Sequence, residues 1–209
     1  MSQVDILLNQ FPRALRTIQD HYERDLRSVH VSDELLIDIR HLVADLRAAP
    51  DFVATDLDRA FGKAKKRSPY FPLSTDVGSF AAAMAKDFLT VPENVKVAME
   101  RHQPYQPGKE LLAQLPALSR VNGHQDFTEQ TRTEQRQWTQ GGVTWTEGVS
   151  FSGGVFVNGQ PMGHPAYTTE TVFVGWTFLD PPHHVIPTLH GLAGLVTDLV
   201  HDVQREAGL

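Results

Sequence analysis

The sequence predicts an α+β fold: an N-terminal helical bundle, then an antiparallel β-sheet or hairpin region, then a C-terminal amphipathic helix. Apolar residues recur at helical spacing over residues 35–57. Residues 137–179 carry almost no charge and are rich in Thr, Val, Phe and Trp, which favour strands. Helical spacing returns from Thr188. We expect a bundle at 1–125 and a β region with its helix at 126–209, packed as one globular unit.

The first two helices are the longest predicted elements. Residues 4–27 form the first, with Pro12 close to its first turn. Ser32 is the expected N-cap of the second, because its hydroxyl can accept a hydrogen bond from a backbone amide of the first turn. Pro50 predicts a kink or break in that helix, since proline removes one backbone hydrogen bond. The apolar stripe of the second helix comprises Leu35, Ile39, Leu42, Leu46, Ala49 and Val53.

Shorter elements complete the predicted bundle. Thr90 and Glu93 have the spacing of a capping box, in which each side chain satisfies a backbone amide at a helix N-terminus. Pro116 is expected to perturb the last short helix. In order, the predicted elements are a loop at 62–75, a helix at 76–89, a helix from the capping box to Arg101, and a helix at 109–121.

The second half of the chain predicts three to five antiparallel strands. Asn158 and Gly159 form the pair that is typical of a tight hairpin turn. The C-terminal helix that follows has one apolar stripe, and polar residues are expected on its other side. The residues expected on this polar side are Asp198, Asp202, Arg205 and Glu206.

Composition restricts the classes of function. The formal net charge of -6 argues against broad, nonspecific binding of phosphate backbones. The chain has no cysteine, which excludes disulfides and thiol catalysis and fits a reducing compartment. No window approaches the ~20 apolar residues of a membrane span. We therefore expect a cytoplasmic protein with no membrane partner and no cofactor.

Three segments together carry a family resemblance. They are 46–54 (LRAAPDFVA), 71–73 (FPL) with 103–105 (QPY), and 115–124 (LPALSRVNGH). Their order and spacing resemble an uncharacterised family of helical bacterial proteins of actinobacterial type, across about residues 35–126. Pro50, Asn122 and Gly123 depart from the pattern of that family.

That family in turn resembles HEPN domains, which are four-helix bundles. The resemblance implies either a ribonuclease of toxin–antitoxin or phage-defence systems, or an inactive binding module. In HEPN nucleases an Arg and a His act on the RNA 2′-hydroxyl and the scissile phosphate. Arg120 and His124 lie where the resemblance would place a functional pair, although their spacing is one residue short of the pattern. His124 can also cap the carbonyls of the helix that ends before it.

Two other Arg–His pairs match the HEPN spacing but add no support for a nuclease site. Arg16 with His21, and Arg24 with His30, satisfy the Arg-to-His separation. Chance alone produces about two such pairs in a chain of this composition. These pairs therefore do not identify a nuclease site.

Two further clusters are candidates for binding. The basic residues Lys63, Lys65, Lys66 and Arg67 could contact RNA or an acidic partner, or form a solvated loop. His183 and His184 could suggest a metal, but adjacent side chains on an extended segment point in opposite directions. We expect no metal site.

The sequence does not identify an activity. The first hypothesis is a non-catalytic interaction or binding module, associated through the resemblance with stress or phage defence. Its partner would be another protein or a second copy of the chain, paired through the stripe at 35–57. The alternative is an HEPN-like ribonuclease, for which RNA would be the partner.

Overall fold

The structure is a computed structural model. It describes residues 2–28, 31–62, 69–123, 130–140, 143–146, 156–157, 160–161, 169–178 and 183–209. Between residues 120 and 177 only the backbone of these segments is described.

Two long helices open the chain. Helix α1 spans Gln3–Ser28 and helix α2 spans Asp33–Phe61. The side chain of Ser32 accepts a hydrogen bond from the Leu35 amide, so the predicted N-cap is confirmed. Of the predicted kink or break at Pro50, the break is wrong, because α2 continues through this residue, and the kink stays a prediction. Pro12 also lies inside its helix, beyond the first turn. In both helices tertiary packing outweighs the loss of one backbone hydrogen bond.

Helix α2 lies at the centre of the core and packs against α1 and two later helices, α5 (Leu115–Gly123) and α6 (Val185–Ala207). Leu42 is 2% exposed, and Leu46 and Val53 are fully buried, as the apolar spacing predicted. The stripe that was expected to pair with a second copy is thus buried within one chain. The homodimer prediction loses the observation on which it depended.

Short elements surround this core. Helix α3 spans Val77–Asp87, and the side chain of Asp76 caps it by accepting from the Ser79 amide. Helix α4 spans Glu93–Arg101. The predicted Thr90 capping box is wrong, because Pro92 is the N-cap residue and no side chain caps the helix. A 3₁₀ helix, Glu110–Gln114, leads into α5, where Pro116 occupies the first turn.

The predicted α+β fold class is wrong. Of the residues whose side chains the structure describes, 78% are helical, and Phe178 is the one that lies in a strand. No sheet therefore forms a layer of the described core, which is a helical bundle. The backbone between α5 and α6 traces β1 (Gln130–Gln140), β2 (Val143–Thr146), β3 (Phe156–Val157), β4 (Gln160–Pro161) and β5 (Thr169–Phe178).

Helix α6 completes the described core. Its apolar stripe, from Val185 to Val203, is buried against α1, α2 and α4. It ends at Gly208, whose φ of 67° is readily adopted by glycine at a helix C-terminus. Strand propensity is local, whereas burial depends on which apolar face fits the bundle, and here that face is helical.

Two other predictions stay untested. Asn158 and Gly159, the expected hairpin turn, lie outside the described residues. The division into units at 1–125 and 126–209 stays a prediction, although α6 packs directly on helices of the first unit.

Candidate functional site

Two helix ends meet at one end of the bundle. Helix α4 finishes at Arg101, and His102 is its C-cap residue. A cation at this position is favoured by the partial negative charge of the helix C-terminus. Helix α6 passes beside it and places Asp202 opposite Arg101, with Arg205 one turn further along. The pairing therefore joins α4 and α6.

Asp202 is the centre of this cluster and is 8% exposed. One of its oxygens, Oδ2, accepts from Nη1 of Arg101 at 2.7 Å and lies 3.0 Å from Nε2 of His102. The other oxygen, Oδ1, accepts from the guanidinium of Arg205. Both carboxylate oxygens are thus bound by side chains, as a buried charge requires.

The charge states of the buried pair follow from these contacts. Burial would raise the pKa of Asp202, but the hydrogen bond from His102 and the charge of Arg101 outweigh it and lower that pKa. Burial lowers the pKa of His102 and outweighs the opposing hydrogen bond to Asp202. At neutral pH we therefore assign a carboxylate at Asp202 and a neutral imidazole at His102.

The tautomer of His102 is then determined by its partner. A carboxylate only accepts hydrogen bonds, so Nε2 of His102 carries the proton and donates it. The other ring nitrogen, Nδ1, is left as an acceptor. It is buried and has no hydrogen-bond partner among the residues that the structure describes. His102 itself is 5% exposed.

A cleft of about 360 Å³ opens over the cluster. The side chains of Arg101 and Arg205 are 54% and 67% exposed, so their guanidinium groups lie at its rim. A guanidinium has five N–H donors, and the carboxylate uses only part of them. The cleft is lined by Arg101, His102, Asp198, His201, Asp202 and Arg205.

A second depression lies beside the first. It measures about 300 Å³ and is lined by Asp5, Leu8, Asn9 and His201. Because His201 lines both, the two depressions are neighbours across one side chain of α6. Together they form a concave surface with a largely polar lining at the junction of α1, α4 and α6.

The arrangement can hold an anion by hydrogen bonding. Asp202 fixes one guanidinium from each of two helices, and the remaining N–H groups are available to an acceptor in the cleft. Within the described residues no group of three or more His, Asp or Glu side chains could hold a metal ion. The chemistry that the cleft offers is recognition of acceptor groups by arginine.

The predicted site residues lie outside the side chains that the structure describes. His124 and the basic cluster Lys63, Lys65, Lys66 and Arg67 lie outside the described residues. Arg120 lies in α5, where only its backbone is described. These candidates stay predictions.

Three of the other histidine and arginine candidates have structural partners, and His30 lies outside the described residues. His21 lies 2.9 Å from Asp38, an ion-pair distance between α1 and α2. Arg24 donates to Glu34 and Ser32 at the start of α2. His183 contacts Gln114 through its ring, and its carbonyl accepts from the Phe178 amide at 2.9 Å.

The segments that carry the family resemblance hold the bundle together. Asp51 in α2 accepts from the Phe71 amide at 2.8 Å. Gln103 is fully buried, and its side chain accepts from the Ser74 amide at 2.9 Å and donates to the Met99 carbonyl at 2.8 Å. These contacts connect α2, the loop before α3, and α4. Their role in this chain is structural.

Sequence reasoning missed the cleft because it placed Asp202 on the polar side of α6. That prediction is wrong, since Asp202 is buried. Its position three residues after Leu199 puts it in the apolar row of the helix. An acid in an apolar row, with Arg205 three residues later, was the signal for a buried ion pair.

Comparisons with protein-family models, curated proteins and solved structures find no match to this chain. The resemblance to HEPN domains therefore stays a prediction. Among the described residues no helix is long and apolar enough to cross a membrane.

Proposed function

We propose that this protein is a non-catalytic binding module that holds a small anionic group in the cleft between α4 and α6. The observation that carries the proposal is that Arg101 and Arg205, from different helices, are both fixed on Asp202 while their side chains stay more than half exposed at the cleft. A carboxylate or a phosphate group fits donors of this kind.

The local charge balance favours a small anion over a polyanion. Two arginines and two acids, Asp198 and Asp202, line the cleft, and the whole chain has a formal net charge of -6. Long-range attraction for a polyanion is therefore weak. A compact acceptor, bound by the geometry of the two guanidinium groups, is favoured over a nucleic acid backbone.

The expected affinity is modest. A hydrogen bond to a charged group contributes about 1.5–3 kcal/mol, and solvent at an exposed guanidinium reduces this. Prior fixation by Asp202 offsets part of the cost of ordering the arginine side chains. Removing one of the two guanidinium charges should weaken anion binding about tenfold, or about 1.4 kcal/mol.

The test is a titration of the whole protein with inorganic phosphate, acetate and citrate, followed by amide NMR shifts and calorimetry. Arg101→Gln and Arg205→Gln keep side-chain length but remove the charge. We expect saturable shifts at residues of the cleft in the wild type and about tenfold weaker binding in each variant. Arg59→Gln is the matched control, because Arg59 is 72% exposed and pairs only with Asp56 among the described residues.

Loss of the fold must be separated from loss of binding. Both cleft arginines pair with Asp202, so each variant is also checked by circular dichroism and thermal melting. The proposal fails if the wild type shows no saturable shift with any of the three anions, or if the folded cleft variants bind as well as Arg59→Gln.

The ribonuclease alternative depends on His124 and Arg120 and is tested separately. The wild type and His124→Ala are incubated with a mixed RNA pool and compared in a growth-inhibition assay. Cleavage that disappears in a folded His124→Ala protein would support it. No cleavage by the wild type would remove it. A protein partner and a cytoplasmic location also stay predictions.

A further inference from the structure

Asp198 gives the cleft a second, opposite recognition group. It lies on α6 one turn before Asp202, is exposed, and lines the same cleft as the two arginines. Asp202 is already committed to Arg101, His102 and Arg205. Asp198 makes no hydrogen bond or ion pair with any residue that the structure describes, so its carboxylate is available to a donor in the cleft.

From this pairing we infer that the ligand is a zwitterion of the α-amino acid class, with its carboxylate on Arg101 and Arg205 and its ammonium on Asp198. The inference rests on the proposed function, because it assigns the anionic group to the same arginines. It adds the requirement for a cationic group and the residue that binds it.

The dimensions of the cleft agree with a compact ligand. Asp198 and Asp202 are four positions apart on α6, so their Cα atoms are about 6 Å apart along the helix axis. The arginines are anchored at Asp202, and the two ends of the site are therefore about one helical turn apart. A cleft of about 360 Å³ lies at the lower end of the range for small-molecule sites.

The charge pattern also favours a zwitterion over a simple anion, which binds more weakly. A phosphate or carboxylate on the arginines would lie near the carboxylate of Asp198, which repels it. An ammonium on the same molecule replaces this repulsion by attraction. The buried imidazole of His102 is neutral at the base of the cleft and adds no positive charge that would favour a plain anion.

The adjoining depression provides room for a side chain. It begins at His201, which both depressions share, and its other lining residues are Asp5, Leu8 and Asn9. Its mixed lining, with one apolar and several polar residues, suits a short polar side chain better than a large aromatic one.

The experiment compares free amino acids with their N-acetyl derivatives, which keep the carboxylate and lose the ammonium. The twenty proteinogenic amino acids are first screened as mixtures by amide NMR shifts, and each amino acid that binds is titrated beside its N-acetyl form. We expect the free amino acid to bind at least tenfold more tightly than its N-acetyl derivative. Asp198→Asn should abolish that difference and leave binding of the N-acetyl form unchanged or stronger.

Asp20→Asn is the matched control, because Asp20 is an exposed acid on α1 and is not among the residues that line the two depressions. Equal affinity for the free and the N-acetyl forms would overturn the inference while anion binding on the arginines still stood. Binding of phosphate but of no amino acid would also overturn the inference and leave anion binding on the arginines intact. If neither amino acids nor any anion bound, the proposed function would fail as well.

Discussion

Two buried aspartates in this molecule form ion pairs with arginine, and their roles differ. Asp25, at the end of α1, is 2% exposed and accepts from the Ser32 amide at 2.7 Å and from Nε of Arg24 at 3.1 Å. Asp202, in α6, is 8% exposed and binds side chains of both α4 and α6. The first closes a turn between helices, and the second lies below a cleft.

The difference is in what the arginines do with their other donors. Arg24 uses its two remaining nitrogens on Glu34 at 2.8 Å and on Ser32 at 2.7 Å, so its whole guanidinium takes part in capping α2. Arg101 has one hydrogen bond, to Asp202, among the described residues. An Asp–Arg pair therefore indicates a binding site only where the guanidinium retains donors that face a cavity.

The largest expected effect on stability comes from the apolar core, and it is the reference for the effects of both clusters. Leu46→Ala should lower the free energy of unfolding by roughly 2–5 kcal/mol, since Leu46 is fully buried at the centre of α2. Urea unfolding measures the change. Ile37→Ala, on the same helix but 46% exposed, should cost much less. A loss below about 0.5 kcal/mol for Leu46→Ala would contradict the assigned core face.

Removal of each carboxylate should separate a contribution to stability from a contribution to phosphate binding. Asp25→Ala and Asp202→Ala should each cost about 1–3 kcal/mol of stability, because each leaves donors without their buried acceptor. Only Asp202→Ala should also weaken phosphate binding, since it frees both cleft arginines. Denaturant unfolding and phosphate titration of the two variants measure this. Weaker phosphate binding by Asp25→Ala would break the comparison.

The pH dependence of stability should differ because, among the described residues, the second cluster contains a buried histidine and the first does not. The pKa of His102 is lowered by burial, so on acidification the unfolded chain takes up this proton before the folded one does. Stability should therefore fall as the pH drops below about 6.5. His102→Gln should remove the part of the fall that precedes carboxylate protonation. Thermal melting from pH 8 to pH 5 measures it, and identical profiles for both proteins would contradict the assignment.

The pKa values of Asp25 and Asp202 are both lowered, so both clusters lose stability at more acidic pH. For Asp25, burial acts in the opposite direction and is outweighed by hydrogen bonds from Ser32 and Arg24. The contribution of each carboxylate is complete above its unfolded pKa of about 3.9 and is lost as the pH falls through its lower folded value.

The smallest expected effect concerns an ordinary surface pair. Arg59→Gln should change stability by less than about 0.5 kcal/mol, because Arg59 is 72% exposed and its bond to Asp56 competes with water. Urea unfolding at low and high salt measures the change. A loss of stability comparable to that of Asp25→Ala would show that the exposure of an ion pair does not determine its contribution to stability.

The parts of the fold that could be predicted depend on local patterns. The buried face of α2 follows from residues such as Leu42 and Leu46 at helical spacing, and the Ser32 cap follows from its place before two acids. Pro50 was misjudged because the cost of a proline is local, whereas the packing that keeps α2 intact is contributed by other helices.

The cleft could not be predicted because its residues are about a hundred positions apart. The hydrogen bond between Arg101 and Asp202 spans 101 residues of sequence, and no spacing rule connects them. The fold class was wrong for a related reason. Residues 137–179 have strand-forming composition, but the face that completes the core belongs to α6.

The loop ahead of α3 has a consequence for how the molecule fluctuates. Its amides at Phe71 and Ser74 donate to Asp51 and Gln103, which belong to the bundle and not to the loop. Exchange of these amide protons with solvent therefore requires opening of contacts to α2 and to the end of α4. A segment without regular secondary structure thus shares the cooperative unit of the core, and its hydrogen-exchange rates should report on the bundle.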